Sequence, residues 1–517
     1  ATKKCVCVEQ ILLYPRSGQE KQSKVNEKFR SVISHSSDDK VKVVYSWHGP
    51  KGPAWNTELP NLLTLASMAE GVNPQMESRD FWTDDTWTSQ FSKAKDKFEM
   101  YPCQTIEADD YRPFIFPMSM TWRVPFERYF NNAGGVIEYS HMPKWLLHLV
   151  KTANGYILID HSVEAFMSDA ELEAMFVYFH KDHQLPMYKI IYLTGTTNAQ
   201  HVYDTWANKE GIADEREHRM CVIPFCSSRE IFHAFYTRGH HDLETGQHLD
   251  ALPEPEYDVN YVPQKKFLSW NRRFREHRVI LALILEELNL IERSVVSFAK
   301  FEIERVTSTY EKQIQHLREH GDRYNGMFFG PNNETLSQDT PEKLGQRLPL
   351  VIDGEEDINV MCEDFGYTRN FYKDTLVSLI TETNYVENEC TLTEKSFKPL
   401  FNKHPFIIIG VPGAMQAIRD QGFRTFGDFW DESYDSETNP GLRMLKIKEQ
   451  IEVIASWSDQ QIMEFRRNVK PILDHNYHMF AQAGSVLVVN KMYDHITDNF
   501  NTDHAHWCSL TGGCHFD

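Results

Sequence analysis

Two apolar runs flanking a charged turn fix more about this chain than any other stretch. They lie within residues 374–426, DTLVSLITETNYVENECTLTEKSFKPLFNKHPFIIIGVPGAMQAIRDQGFRTF. Leu376 to Ile380 is apolar and β-branched and reads as a buried strand. A polar loop from Glu382 to Cys390 follows, and Thr393 is placed to cap a helix that opens with Glu394 and Lys395. That helix extends no further than about His404, because Pro405 disfavours helix at itself and at the residue before it. Phe406 to Gly410 is then a fully apolar strand of the kind buried in a parallel sheet. Pro412 marks the start of the next helix and Gly422 its end. The unit is βαβ. Ligands of open α/β sheets bind outside the carboxyl ends of the strands, which puts Glu382, Thr393, Glu394 and Lys395 where chemistry is expected.

The length of 517 residues predicts two domains, with room for an appendage. A hydrophobic content of 41% with 13% aromatics supplies large cores and excludes global disorder. The net charge of −20 excludes a general nucleic-acid binder but leaves room for a local basic pocket. Nine cysteines at irregular spacing fit a reduced compartment better than a disulfide scaffold. No apolar run approaches the roughly 20 residues that span a bilayer, and no signal-peptide pattern opens the sequence. Ala1 fits removal of an initiator Met or a trimmed chain. The expectation is a soluble, cytoplasmic protein or part of a viral particle, alone, as a homo-oligomer, or within a larger assembly.

Residues 1–250 are expected to form a first α/β domain. Val41 to Ser46 reads as a strand, while residues 51–130, rich in Trp, Phe, Met and Pro, predict irregular aromatic packing. Strands follow at Gly155–His161, Tyr188–Leu193 and Met220–Phe225, with a helix from Ser168 to about His183 and another after Asn198. The polar, acidic, Pro-containing stretch around 251–264 reads as the linker. Residues 265–440 form a second α/β domain, beginning with the strand Lys266–Trp270, the helix Val279–Leu290 and the strand Ser294–Phe298. Residues 300–370 read as an insertion. Residues 441–517 form helices and a tail, interrupted near Ser456–Ser458 and at Pro471.

Arg272, Arg273, Arg275 and Arg278 crowd the turn after the strand Lys266–Trp270 in an otherwise acidic chain. Guanidinium forks and helix N-terminal amides both bind phosphate oxygens. A solvated, salt-bridged helix end reads the same way. Glu394 and Lys395 are open to a plain interpretation too, with Glu394 pairing Lys398 one turn on. Together the two turns offer a carboxylate for ribose hydroxyls beside cations for a diphosphate, which is what a nucleotide-sugar pocket needs.

In this order, Ser269, Asn271 and Arg272 or Arg273, then Glu382, Asn384, Thr393, Glu394, Lys395 and Gly410, the segment 265–425 resembles the donor half of alpha-1,3-fucosyltransferases. More broadly it is similar to exostosin-like inverting glycosyltransferases of the two-Rossmann, GT-B type. The resemblance implies two Rossmann-like domains facing a cleft. The C-terminal domain would bind a nucleoside-diphosphate sugar through Asn271, Arg272, Arg273, Arg278, Glu382, Thr393, Glu394 and Lys395. The N-terminal domain would bind a glycan or protein acceptor, with no cofactor and no obligatory metal. Between Glu382 and Thr393 the motif is looser than in those families.

Inverting transfer needs a base to take the proton of the attacking hydroxyl, and the N-terminal half offers His48, Asp160, His161 and Glu164. Glu164 and His161 are favoured because they follow the clearest strand. Asp503, His504, His506, Cys508, Cys514 and His515 form a dense ligand set that matches no standard finger spacing, and Asp428, Asp431, Glu432 and Asp435 could bind a hard cation, but a plainer reading is favoured for each. They read as a polar tail and an acidic solvated or sugar-contacting loop. Cys221 and Cys226 read as core. The rival to the enzyme is a structural or assembly protein that retains the fold without turnover. A nucleotide hydrolase is disfavoured by the lack of a GxxxxGK loop.

Overall fold

A computed structural model of the chain describes residues 41–45, 97–102, 113–119, 150–151, 154–162, 167–226, 229, 240–241, 248–249, 253–271, 273–302, 305–324, 326–329, 335–350, 369–481 and 485–511. The architecture is mixed α/β, with a parallel sheet in each of two compact units. The first unit takes Ala1–Thr194, Gln200–Phe225 and Gly484–Asp517; the second takes Gly195–Ala199 and Cys226–Ala483.

In the first unit, β1 (Val41–Tyr45), β2 (Phe98–Pro102), β3 (Phe114–Ser119), β4 (Gly155–His161), β5 (Ile190–Thr194) and β6 (Cys221–Pro224) form one sheet in the order β2-β1-β3-β4-β5-β6, every pair parallel. Two of these strands, β2 and β3, fall inside the stretch expected to be irregular; Pro102 and Pro117 weaken their strand signal. The helix α1 (Asp169–Phe176) starts at a capping box, Ser168 against Glu171, as its acidic first turn predicts. It does not run unbroken to His183, because a π-helical turn takes over at Val177–Asp182. The helix after Asn198 is α2 (Ala199–Lys209).

The second unit opens with a two-stranded ladder, β7 (His240–His241) with β8 (His248–Leu249). Its main sheet joins β9 (Lys265–Trp270), β10 (Ser294–Ser297), β13 (Thr375–Thr381) and β14 (Phe406–Ile409) in the order β10-β9-β13-β14, all parallel. Between them β11 (Phe301–Glu302) and β12 (Arg305–Thr309) form an antiparallel pair. Every residue of β13 is buried, the hydroxyls of Thr375, Ser378 and Thr381 along with its Leu, Val and Ile side chains, as in a strand covered on both faces. The helix α3 (Glu276–Glu287) is buried from His277 to Glu286 and forms the middle of the core, which explains a run, VILALIL, apolar on all sides. It starts three residues before the expected Val279.

Further along are α4 (Tyr310–Glu319), α5 (Thr340–Arg347), α6 (Arg369–Asp374), α7 (Glu394–Phe401), α8 (Ala414–Asp420), α9 (Pro440–Ser456), α10 (Asp459–Phe480) and α11 (Ser485–Thr511). Gly422 closes α8 with a φ of 88°, the left-handed value expected of a helix stop. Pro471 does not interrupt α10, which runs through it.

The change of unit at Cys226 falls ahead of the expected linker at 251–264, and the helical end is divided: α9 and α10 belong to the second unit and α11 to the first. The cause for α11 is a set of side-chain bonds. Tyr156 donates to the Ile496 carbonyl at 3.3 Å, and Arg216 reaches Asn499 and Asp503 at 2.8 and 2.9 Å. Asp503, expected in a polar tail, also accepts from Tyr188 at 3.0 Å. Among the described residues, no helix is long and apolar enough to cross a membrane.

Candidate functional site

The carboxyl ends of β9 and β13 lie side by side, so the arginine turn and the Thr393-Glu394-Lys395 turn come together as expected. The side chains are used differently from the expectation. Asn271 is buried and spent on the scaffold. Its amide nitrogen donates to Ser269 Oγ at 3.0 Å, its side-chain oxygen accepts from Thr381 Oγ1 at 2.8 Å, and its backbone N–H donates to Ser297 Oγ at 3.0 Å. It ties the ends of β9, β10 and β13 together.

Glu382 is 1% exposed. Its Oε1 accepts from the Thr393 amide at 2.9 Å and from Ser396 Oγ at 2.5 Å. Its Oε2 accepts from Thr393 Oγ1 at 2.8 Å and from the Thr383 amide at 3.2 Å. Lys395 Nζ stands 3.4 Å from Oε2. A carboxylate offers about four acceptor sites, and all are taken. Glu382 therefore anchors the start of α7 and leaves no lone pair for a ribose hydroxyl. Thr393, expected to cap α7 with its own hydroxyl, turns that hydroxyl to Glu382 instead. A carboxylate at this end also complements the helix dipole.

Glu394 and Lys395 are less enclosed than Glu382. Their side chains are 38% and 20% exposed. Burial opposes ionisation of Glu394, but the ammoniums of Lys395 and Lys398, with the Arg278 guanidinium, outweigh it and hold its pKa below the usual carboxylate value. Lys395 Nζ donates to Thr393 Oγ1 at 2.5 Å and lies 3.7 Å from Glu394 Oε1, so its position is set in advance.

Arg278 sits under these groups, 6% exposed. Its guanidinium bonds only to carbonyls, those of Arg273 at 3.1 Å and of Thr381 and Glu382 at 3.4 Å, and Nε has no partner. Among the described residues no carboxylate is within ion-pair distance of it. Burial, then the like charge of Arg275, lowers its pKa to about 10. Its charge is partly offset by the carboxylates of Glu382 and Glu394, and a buried cation without a close ion pair is stabilised further by an anion that reaches it. Arg273 and Arg275 are exposed at the same turn, and Arg272 lies outside the described residues.

Two residues absent from the sequence expectation complete the geometry. His277 donates from Nε2 to the Glu382 carbonyl at 2.9 Å and stacks on Tyr385, centroids 5.1 Å apart. Burial, followed by the charge of Arg278, pushes its pKa well down and keeps the imidazole neutral. Ser396 is the other. Its place one residue after Lys395 was the available signal, since a hydroxyl at that point of a helix can reach back to a carboxylate at the turn.

Of the expected bases, His161 is 1% exposed, with Nδ1 2.8 Å from the Tyr192 hydroxyl, and burial lowers its pKa to about 4. So enclosed and so weakly basic an imidazole is poorly suited to take a proton at neutral pH. Glu164 and His48 lie outside the described residues, as does the side chain of Asp160.

The acidic stretch after α8 is divided: Asp428 and Asp431 are exposed, as a solvated loop would have them, while Glu432 and Asp435 turn inward. Asp435 accepts from the amides of Met415 and Gln416 at 2.8 and 2.9 Å, and Glu432 accepts from Thr425 Oγ1 and from Arg419, at 2.8 and 3.0 Å. Together they cap and brace α8. No cluster of three metal-ligating side chains occurs among the described residues.

No protein-family model matches the chain, and no curated protein matches it. Among solved structures, the alpha,alpha-trehalose-phosphate synthase (UDP-forming) from Burkholderia vietnamiensis is similar at 10% identity over 90% of this chain and 99% of that one, with a TM-score of 0.34. Anabaena Alr3699/HepE in complex with UDP and glucose is similar at 11% identity over 91% and 100%, with a TM-score of 0.27. Likenesses so remote assign neither a site nor a chemistry to the chain.

Proposed function

We propose that the chain transfers a sugar from a nucleoside-diphosphate sugar to a hydroxyl of a glycan or protein acceptor, with inversion and without a metal. The observation that carries the reading is the buried Arg278 guanidinium, unpaired with any described carboxylate, beneath Lys395 and the exposed Arg273 and Arg275. The acceptor oxygen attacks the anomeric carbon while the bond from that carbon to the diphosphate oxygen breaks, the electron pair leaving with the diphosphate. Arg278 and Lys395 hold the charge that develops there. Glu394, ionised and half-exposed, takes the ribose hydroxyls in place of the saturated Glu382. Thr393 and Glu382 keep the start of α7 in position. Glu164 remains the sequence's candidate for the base that receives the acceptor's proton.

Thermal shift of the full chain with UDP and GDP tests the donor half of this reading. Ligand at about 100 times its Kd stabilises by roughly 2.7 kcal/mol. No shift with either at millimolar concentration would sink the proposal.

A second reading is favoured by a specific observation: Asn271 and Glu382, both expected on the ligand, are consumed within the fold. A structural or assembly protein that keeps the scaffold without turnover would use them so. Nucleotide binding without sugar transfer or donor hydrolysis would select that alternative.

A further inference from the structure

The loop 382–393 carries the start of α7 to its place. A long irregular loop is costly to order unless it is pinned. Its early part is pinned by its own residues: Glu387 accepts from the amides of Tyr385 and Val386 at 2.8 and 3.0 Å, and Asn384 donates to the Glu389 carbonyl at 3.2 Å.

Its later part is pinned by Gly195–Ala199, the short segment that belongs to the second unit although the chain on either side belongs to the first. Thr196 forms an antiparallel bridge with Thr391. The Thr197 amide and hydroxyl both donate to the Cys390 carbonyl, at 2.7 and 3.0 Å. Asn198 then does with its side chain what a strand does with its backbone. Its Oδ1 accepts from the Cys390 amide at 2.9 Å, and its Nδ2 donates to the Asn388 carbonyl at 2.9 Å. A primary amide has the donor and acceptor spacing of a peptide group, so Asn198 extends by one step the ladder that Thr196 begins. Cys226 donates from Sγ to the Leu392 carbonyl at 2.9 Å. Residues 388 to 392 are thus held at three carbonyls and one amide immediately before Thr393, Glu394 and Lys395.

We infer that Thr197 and Asn198 are positioning residues for the nucleotide-sugar site, fixing the loop that aims Glu394 and Lys395. The inference rests on the reading given under the proposed function. With the clamp in place the site is preorganised, and the ligand does not bear the cost of ordering the loop.

The test compares the full-length wild type with Thr197→Val, Thr197→Ser, Asn198→Ala and Asn198→Asp. UDP and GDP affinity is read by calorimetry, and hydrogen exchange of the amides of residues 391–395 is read without nucleotide. Thr197→Val and Asn198→Ala are expected to weaken diphosphate binding on the order of tenfold and to speed exchange over residues 391–395. Thr197→Ser, which keeps the hydroxyl, restores both. Asn198→Asp keeps the acceptor, loses the donor, and falls between; it also serves if Asn198→Ala does not fold. Wild-type affinity in both Thr197→Val and Asn198→Ala would overturn the inference. If the wild type itself binds neither nucleotide, the proposed function fails. The clamp is then decided by exchange alone: faster exchange in the variants upholds it and unchanged exchange refutes it.

Discussion

Glu382 and Glu394 show how residues of one type at one turn divide their work by environment. Both are carboxylates near Lys395. The buried one is saturated by four donors, and the half-exposed one is held ionised with room to accept more. Glu394→Gln is expected to weaken nucleoside-diphosphate binding at least tenfold with little loss of stability, as titration calorimetry and denaturant unfolding together would show. Glu382→Gln should do the reverse first. It places an amide N–H against groups that all donate, leaving buried donors unsatisfied, and should cost about 1–3 kcal/mol of unfolding free energy. Lys395→Ala removes a cation already in place and should abolish the thermal shift with UDP and GDP. A normal shift in that variant would mean the pocket is elsewhere.

Elements are stabilised by groups that titrate, and β13 with the start of β14 gives the clearest case. His404, 3% exposed, holds Ser378 Oγ at 2.8 Å and the Thr375 carbonyl at 3.0 Å, and burial lowers its pKa to about 4. That folded value lies below the unfolded value near 6.5, so between the two the unfolded chain binds a proton that the native chain does not. Stability from His404 is therefore complete above about pH 6.5 and is lost as pH falls toward 4, by roughly 3 kcal/mol in all. His161 in β4 has the same sign over the same window. Denaturant unfolding of the second unit at pH 7 and pH 5 should show the fall, and His404→Gln should flatten it. Equal pH dependence in that variant would place the titration elsewhere. Within α3, Leu281 is wholly buried, and Leu281→Ala should cost about 3 kcal/mol through the cavity it leaves.

At the scale of the molecule, the prediction concerns stereochemistry. Incubated with a nucleoside-diphosphate sugar and an acceptor that it accepts, the chain should give a product whose anomeric configuration is opposite to that of the donor, as proton NMR of the new glycosidic bond would report. Retention would replace the single displacement with another mechanism. The division into two units bears on how the chain is cut for study. A fragment ending at 483 would lose α11, whose Ile496, Asn499 and Asp503 contact Tyr156, Tyr188 and Arg216 of the first unit.

The sequence by itself determined the elements of the second sheet. Predominantly apolar stretches bounded by Pro, Gly and charged turns placed β9, β13 and β14 within a residue and α7 within three, because burial on both faces writes itself into local composition. It also brought the two charged turns to the same sheet edge, since parallel strands share their carboxyl ends. Residues 51–130 yielded nothing comparable: Pro102 and Pro117 sit in the strands β2 and β3, and the register with β1 and β4 supplies what composition does not. Only the tertiary structure decided which polar side chains are consumed. Asn271, Glu382 and Thr393 were legible as polar residues in the right place. Their partners Thr381, Ser396 and Ser297 are fixed by how strand ends meet, which no local pattern records. The same holds for Thr197 and Asn198, whose bonds to Asn388 and Cys390 cross nearly two hundred residues of chain. Apolar burial is read along the chain; hydrogen-bond satisfaction is read across it.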